Sequence, residues 1–132
     1  MIPRYALPEM AELFTDEARL ATWLEVELLA VEAWAKLGVI PPAASEAIRG
    51  RASVTPAAVE ERERVTDHDV AAFVDVVQES VGFPAGAWVH HGLTSSDVVD
   101  TALSVTLVRA CDLLLDAVDD LERAVAARAR EF

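Results

Sequence analysis

Apolar residues recur along this chain every three or four positions, the helical period, from end to end. Residues 1–8 are the exception. Pro3 and Pro8 flank Arg4 and Tyr5 and predict an extended arm, with a short turn over 8–14 after it. Thr15 has the chemistry of an N-cap, and Asp16 and Glu17 suit the positive end of a helix dipole. From there to Leu37 no Gly or Pro intervenes, and Trp23, Val26, Ala30, Trp34 and Leu37 step along one apolar face. Gly38 ends that helix, and Pro41-Pro42 restarts the chain into a short helix over 42–49, closed at Gly50. Thr55-Pro56 opens a charged helix reaching Arg64. Thr66-Asp67-His68-Asp69 has the form of a capping box, followed by Val70, Phe73, Val74, Val77 and Val81 at helical spacing up to Gly82. Gly82, Pro84, Gly86 and Gly92 make 82–93 a loop carrying Trp88, His90 and His91.

The last predicted helix is the longest. Thr94-Ser95-Ser96-Asp97 is a second capping-box start, and no Gly or Pro follows before Phe132. Leu103, Leu107, Ala110, Leu114, Val118, Leu121 and Val125 form one stripe. Such a helix is roughly 50 Å long at 1.5 Å per residue, longer than the body of so small a domain. Its far half is expected to project with an apolar stripe that needs a partner, like one helix of a bundle cut short. The fold class expected is therefore all-α.

Composition narrows the function. The 132 residues carry 11 Lys+Arg against 23 Asp+Glu, a formal net charge of -12, which argues against non-specific nucleic-acid binding and against an anionic membrane surface. Hydrophobic residues make up 53%, too many for a disordered chain. A mean hydropathy of +0.27 alongside that charge points to apolar surface for a subunit or domain interface, although abundant alanine raises the same index. The single cysteine, Cys111, excludes an internal disulfide and a cysteine-based zinc site. Neither a signal peptide nor a membrane span is expected from the N-terminus or the apolar runs, which makes the cytoplasm the expected location.

Four features have chemical potential. His68, beside Asp67 and Asp69 at a helix start, is placed to bind an anion or move a proton; an ordinary surface His is the plainer reading. Thr94-Ser95-Ser96 puts three hydroxyls at a helix N-terminus, where capping needs one. His90-His91 lies in the loop just before it, and adjacent histidines point apart, so a joint metal site is not expected. Arg4-Tyr5 joins a guanidinium to a phenol hydroxyl on the arm, a pair suited to phosphate.

Together these residues resemble one family, the bacterial adenylosuccinate lyases of the aspartase/fumarase superfamily. The resemblance runs through Arg4-Tyr5, Pro8-Glu9-Met10, Trp23-Leu24-Glu25-Val26-Glu27, Leu37-Gly38-Val39-Ile40-Pro41 and His68-Asp69-Val70-Ala71-Ala72-Phe73. It is densest from His90 to Ala102, around Gly92-Leu93-Thr94-Ser95-Ser96-Asp97-Val98. It implies cleavage of adenylosuccinate to AMP and fumarate, and of the succinylated aminoimidazole carboxamide ribotide, by β-elimination in purine biosynthesis, with no metal and no cofactor. It implies that Arg4 and Tyr5 contact the nucleotide and that Asp67, His68 and Asp69 line its pocket. Thr94 and Ser95 would bind the succinyl or fumarate carboxylate, and His90 matches a family histidine. It further implies an N-terminal domain over 1–93, a central bundle helix beginning at 94 and a homotetramer with shared active sites.

Two positions depart from the pattern. Asp67 stands where the family often has a basic or amide residue, and His91 where a Tyr is common. The family's Gly-Arg-Thr-His block and Ser-Ser-x-Met-Pro loop, which carry its general acid and its serine base, do not occur before Phe132. The chain is accordingly expected to be the inactive front piece of a longer enzyme, with His68 in a pocket or supporting role. Competing readings are a non-catalytic helical interaction module and a superfamily relative acting on another fumarate adduct. A metal-dependent HD phosphohydrolase would need a histidine upstream of its His-Asp pair, and His68 is the first histidine here.

Overall fold

The computed structural model describes residues 2–132. Among them there is no strand, in agreement with the all-α expectation. Six α-helices follow a short 3-10 turn over Pro3–Tyr5: α1 (Pro8–Glu12), α2 (Asp16–Lys36), α3 (Pro42–Arg51), α4 (Pro56–Thr66), α5 (Asp69–Val81) and α6 (Ser95–Glu131). Arg4 and Tyr5 thus sit in a turn, where an extended arm was expected. Thr15 caps α2 by accepting the Ala18 N–H at 3.1 Å, and Thr55 caps α4 by accepting that of Ala58 at 3.3 Å.

Phe73 on α5, 0% exposed, is at the centre of the core. The Trp23 indole meets it edge-on, with ring centroids 5.5 Å apart. Val70, Val77 and Val81 extend the buried face of α5, as their spacing predicts, while Val74 is only partly buried. On α2 the buried face is Leu20, Trp23, Glu27, Leu28 and Val31. It is rotated from the expected stripe, and Leu37 is exposed. The stripe through Ala30 and Leu37 counted apolar residues alone; the real one passes through a glutamate. Each large apolar side chain so buried contributes about 1.5–3 kcal/mol of transfer free energy.

Helices α4 and α5 form a hairpin, tied by Arg62 to Asp75 at 3.6 Å and to Glu79. Arg49 of α3 reaches Glu32 and Glu25 of α2, with Nε 2.7 Å from Glu32. The Glu32 hydrogen bond raises the Arg49 pKa above its ordinary value, outweighing partial desolvation. Gly50 lies inside α3, since the helix runs one residue past it. Helix α6 packs its first turns on α2 through Val98 and Ala102. Ala110 is its last buried residue; Leu114, Val118, Leu121 and Val125 are exposed, as the projecting stripe predicts. No helix is long and apolar enough to cross a membrane among the described residues.

Candidate active site

The α4–α5 junction is shorter than expected, because α4 takes in Thr66. Helix α4 runs to Thr66, and Asp67 closes it in the left-handed region at φ 49°, its N–H donating to Glu63 O at 2.8 Å. One residue remains before α5, so His68 is itself the N-cap, where Thr66 was expected. The Ala71 N–H donates to His68 Nδ1 at 3.4 Å. That long bond uses the Nδ1 lone pair and leaves the ring proton on Nε2. Thr66 Oγ1 donates to His68 O at 3.0 Å and bridges the junction. The His68 side chain is 52% exposed. Asp69 Oδ1 accepts the Val70 N–H at 2.7 Å, a closer contact than its 3.4 Å from His68 Nδ1.

The loop after α5 is held by its own glycines and by α2. At Gly86 a Cβ would stand 2.4 Å from Gln78 O, so a side chain there would strike backbone. Gln78 Nε2 donates to Val89 O at 3.2 Å, and Val89 is buried. The chain then turns through two left-handed residues, His90 at φ 69° and Gly92 at φ 74°. A Cβ on Gly92 would press on the Trp34 ring at 3.1 Å. Between them His91 lies edge-to-face with both Trp34 and Trp88, at 5.8 and 5.2 Å between ring centroids. His91 is thereby part of an aromatic cluster.

His90 is fixed from below by Glu27. This carboxylate is 1% exposed, the one buried charged side chain among the described residues. Its Oε2 accepts the His90 N–H at 2.8 Å, and its Oε1 lies 2.6 Å from His90 Nδ1. A buried carboxylate is costly unless hydrogen-bonded, and both oxygens are used here by one residue. Glu27 was not among the residues expected at the site. Its signal was present in the sequence, as a lone acid at the core-facing step between Trp23 and Val31.

Helix α6 supplies the third wall. A capping box spans Thr94 to Asp97, with Asp97 Oδ2 accepting the Thr94 N–H at 2.8 Å. The N–H groups of Ser95 and Ser96, at the first turn, have no acceptor within the helix. Ser95, His68 and His90 line one cavity of about 230 Å³ together with Val70, Ala71, Val74 and Asp75. Asp75 faces it already paired with Arg62. The cavity thus holds two imidazoles and a hydroxyl at a helix N-terminus, a set that suits an anionic ligand with hydrogen-bonding groups.

The other expected residues lie apart from this cavity. Asp69 lines a second, mostly apolar cavity of about 280 Å³ with Arg19, Trp23 and Thr106. Asp67 is exposed at the α4 terminus, and Thr94 is exposed at the cap of α6. Arg4 and Tyr5 are exposed too, with the guanidinium stacked 4.7 Å over the phenol ring, and they line neither cavity. Among the described residues no three His, Cys, Asp or Glu side chains are grouped to hold a metal ion.

Both the sequence and the all-α fold match known lyases. A family model described as lyase covers residues 4–132, and the chain belongs to that lyase family. Its relatives narrow the class. It is 54% identical over 125 residues to the adenylosuccinate lyase of Bacillus subtilis, 95% of this chain and 28% of that one. It is 47% identical over 131 residues to the adenylosuccinate lyase of a Synechocystis species, 99% of this chain and 30% of that one. Against the adenylosuccinate lyase of Staphylococcus saprophyticus the identity is 44%, over all of this chain and 30% of that one. A crystal structure of a fumarate lyase from a Mesorhizobium species superposes on 92% of this chain and 29% of its own, with a TM-score of 0.85 and 25% identity. The chain therefore spans less than a third of the length of the curated relatives it matches.

Proposed function

We propose that the chain is the N-terminal part of a lyase that cleaves adenylosuccinate to AMP and fumarate. By the same reading it also cleaves the succinylated aminoimidazole carboxamide ribotide. The observation that carries this is one cavity shared by His68, His90 and Ser95, in a chain 44% to 54% identical to three adenylosuccinate lyases. The reaction is a β-elimination. A base takes the proton next to a carboxylate, the C–N bond breaks, and an acid protonates the departing nitrogen.

Each residue has a place in this reading. Ser95, the free N–H groups of the first α6 turn and the neighbouring Thr94 bind a carboxylate of the succinyl group. His68 offers its Nε2–H to an anionic oxygen and supports the reacting centre. Arg4 and Tyr5 serve the nucleotide phosphate, and Asp67 and Asp69, next to His68 in the chain but outside its cavity, complete the pocket once the rest of the enzyme is in place. The proton-transferring acid and base come from beyond Phe132. Residues 1–93 are then an N-terminal domain and 94–132 the start of a central bundle helix. The enzyme works as a cytoplasmic homotetramer in purine biosynthesis, without metal or cofactor.

The test is fumarate release from adenylosuccinate by the polypeptide of the complete reading frame. Turnover, reduced about a hundredfold or more by Ser95→Ala, is the expected result, on the scale of losing a donor aimed at developing charge. The 132-residue chain alone is expected to release none above a His68→Ala control. A complete polypeptide that folds and releases no fumarate would sink the proposal.

A further inference from the structure

We infer that Glu27 is a positioning residue, holding His90 with its proton on Nδ1 and presenting Nε2 to the cavity as a hydrogen-bond acceptor. An ionised carboxylate only accepts, so with Glu27 charged the donor across the 2.6 Å contact between Oε1 and Nδ1 is Nδ1. In the neutral ring Nε2 then carries the lone pair. Nδ1 is committed to a carboxylate that is 1% exposed, while the His90 side chain is 23% exposed. His90 lines the cavity with His68 and Ser95, and with Nδ1 taken by Glu27 the ring nitrogen left for a ligand is Nε2.

The grip has two points, since Oε2 also accepts the His90 backbone N–H at 2.8 Å. It fixes the backbone in a left-handed conformation at φ 69° and the ring in one orientation. Core packing does not require such an arrangement. A leucine at position 27 would fill the same face of α2 without burying a charge.

His68 is set the opposite way. Its Nδ1 accepts from the Ala71 N–H, which places its proton on Nε2. One imidazole in the cavity donates and the other accepts. The matching ligand has an anionic group for His68 and Ser95 and an N–H or O–H donor for His90. That this ligand is a succinylated nucleotide, with its bridging N–H, rests on the lyase reading above; the tautomer of His90 does not.

The test is long-range 1H–15N correlation of the histidine rings in the 132-residue chain, in mildly alkaline buffer where imidazoles are neutral. For His90 the expected result is a pyrrole-like Nδ1 and a pyridine-like Nε2. Glu27→Gln keeps the shape and changes the donors. Its oxygen still accepts the backbone N–H, its NH2 donates to Nδ1, and the two ring assignments exchange. A protonated Nε2 in the wild-type chain would overturn the inference, and so would a folded Glu27→Gln chain with unchanged assignments. Should that variant fail to fold, the wild-type spectrum decides alone. No substrate is present, so an enzyme that releases no fumarate would refute the lyase reading and leave this one standing.

Discussion

The two histidines of the cavity are held by opposite means. His90 is gripped at backbone and ring by a buried carboxylate, in a turn backed by Val89 and two tryptophans. His68 is an exposed N-cap, held by a 3.4 Å bond from Ala71 and by a Thr66 hydroxyl. The loop, usually the adaptable part of a fold, is here the rigid wall; the helix terminus is the looser one. Rigidity follows from burial and from satisfied polar atoms, whatever the secondary structure.

That contrast can be broken most forcefully at Glu27. Glu27→Ala leaves the His90 N–H and Nδ1 without their acceptor and should cost about 3 kcal/mol of stability, read by urea denaturation. Gly92→Ala acts on the same wall by forcing a Cβ to φ 74° against the Trp34 ring. It should cost about 1–2 kcal/mol by the same measurement. His68→Ala removes only a weak cap, and a loss of about 0.5–1 kcal/mol is expected. Leu121→Ala, at a 63% exposed position on the far half of α6, should change stability by less than about 0.5 kcal/mol in this chain. Reversal of the order between Glu27→Ala and His68→Ala would undo the comparison.

Much of the fold was legible in the sequence because helices announce themselves by period and punctuation. Thr15, Thr55 and Thr94 cap the helices they precede, and Gly38 and Gly82 follow the ends of α2 and α5. The α4–α5 junction differs from the expected capping box because α4 runs on through Thr66, the residue that would have capped α5, and His68 takes its place. The cavity was legible in part. His68, His90 and Ser95 were each visible as isolated polar residues at helix starts or in a Gly-containing loop. Their meeting depends on how α5, the loop and α6 pack. Glu27 escaped because a glutamate within a helix ordinarily reads as a solvated face; only its register with Trp23 and Val31 marks it as buried.

The most direct measurement is amide hydrogen exchange in the 132-residue chain at two positions, His90 and Ala71. The His90 N–H, bonded to a carboxylate 1% exposed, should exchange only through global unfolding, at the rate of the Phe73 amide in the core. The Ala71 N–H, held by an exposed imidazole at 3.4 Å, should exchange by local opening, orders of magnitude faster. Equal rates at the two sites, or a His90 amide as fast as that of Ala71, would contradict the account of one fixed wall and one loose one.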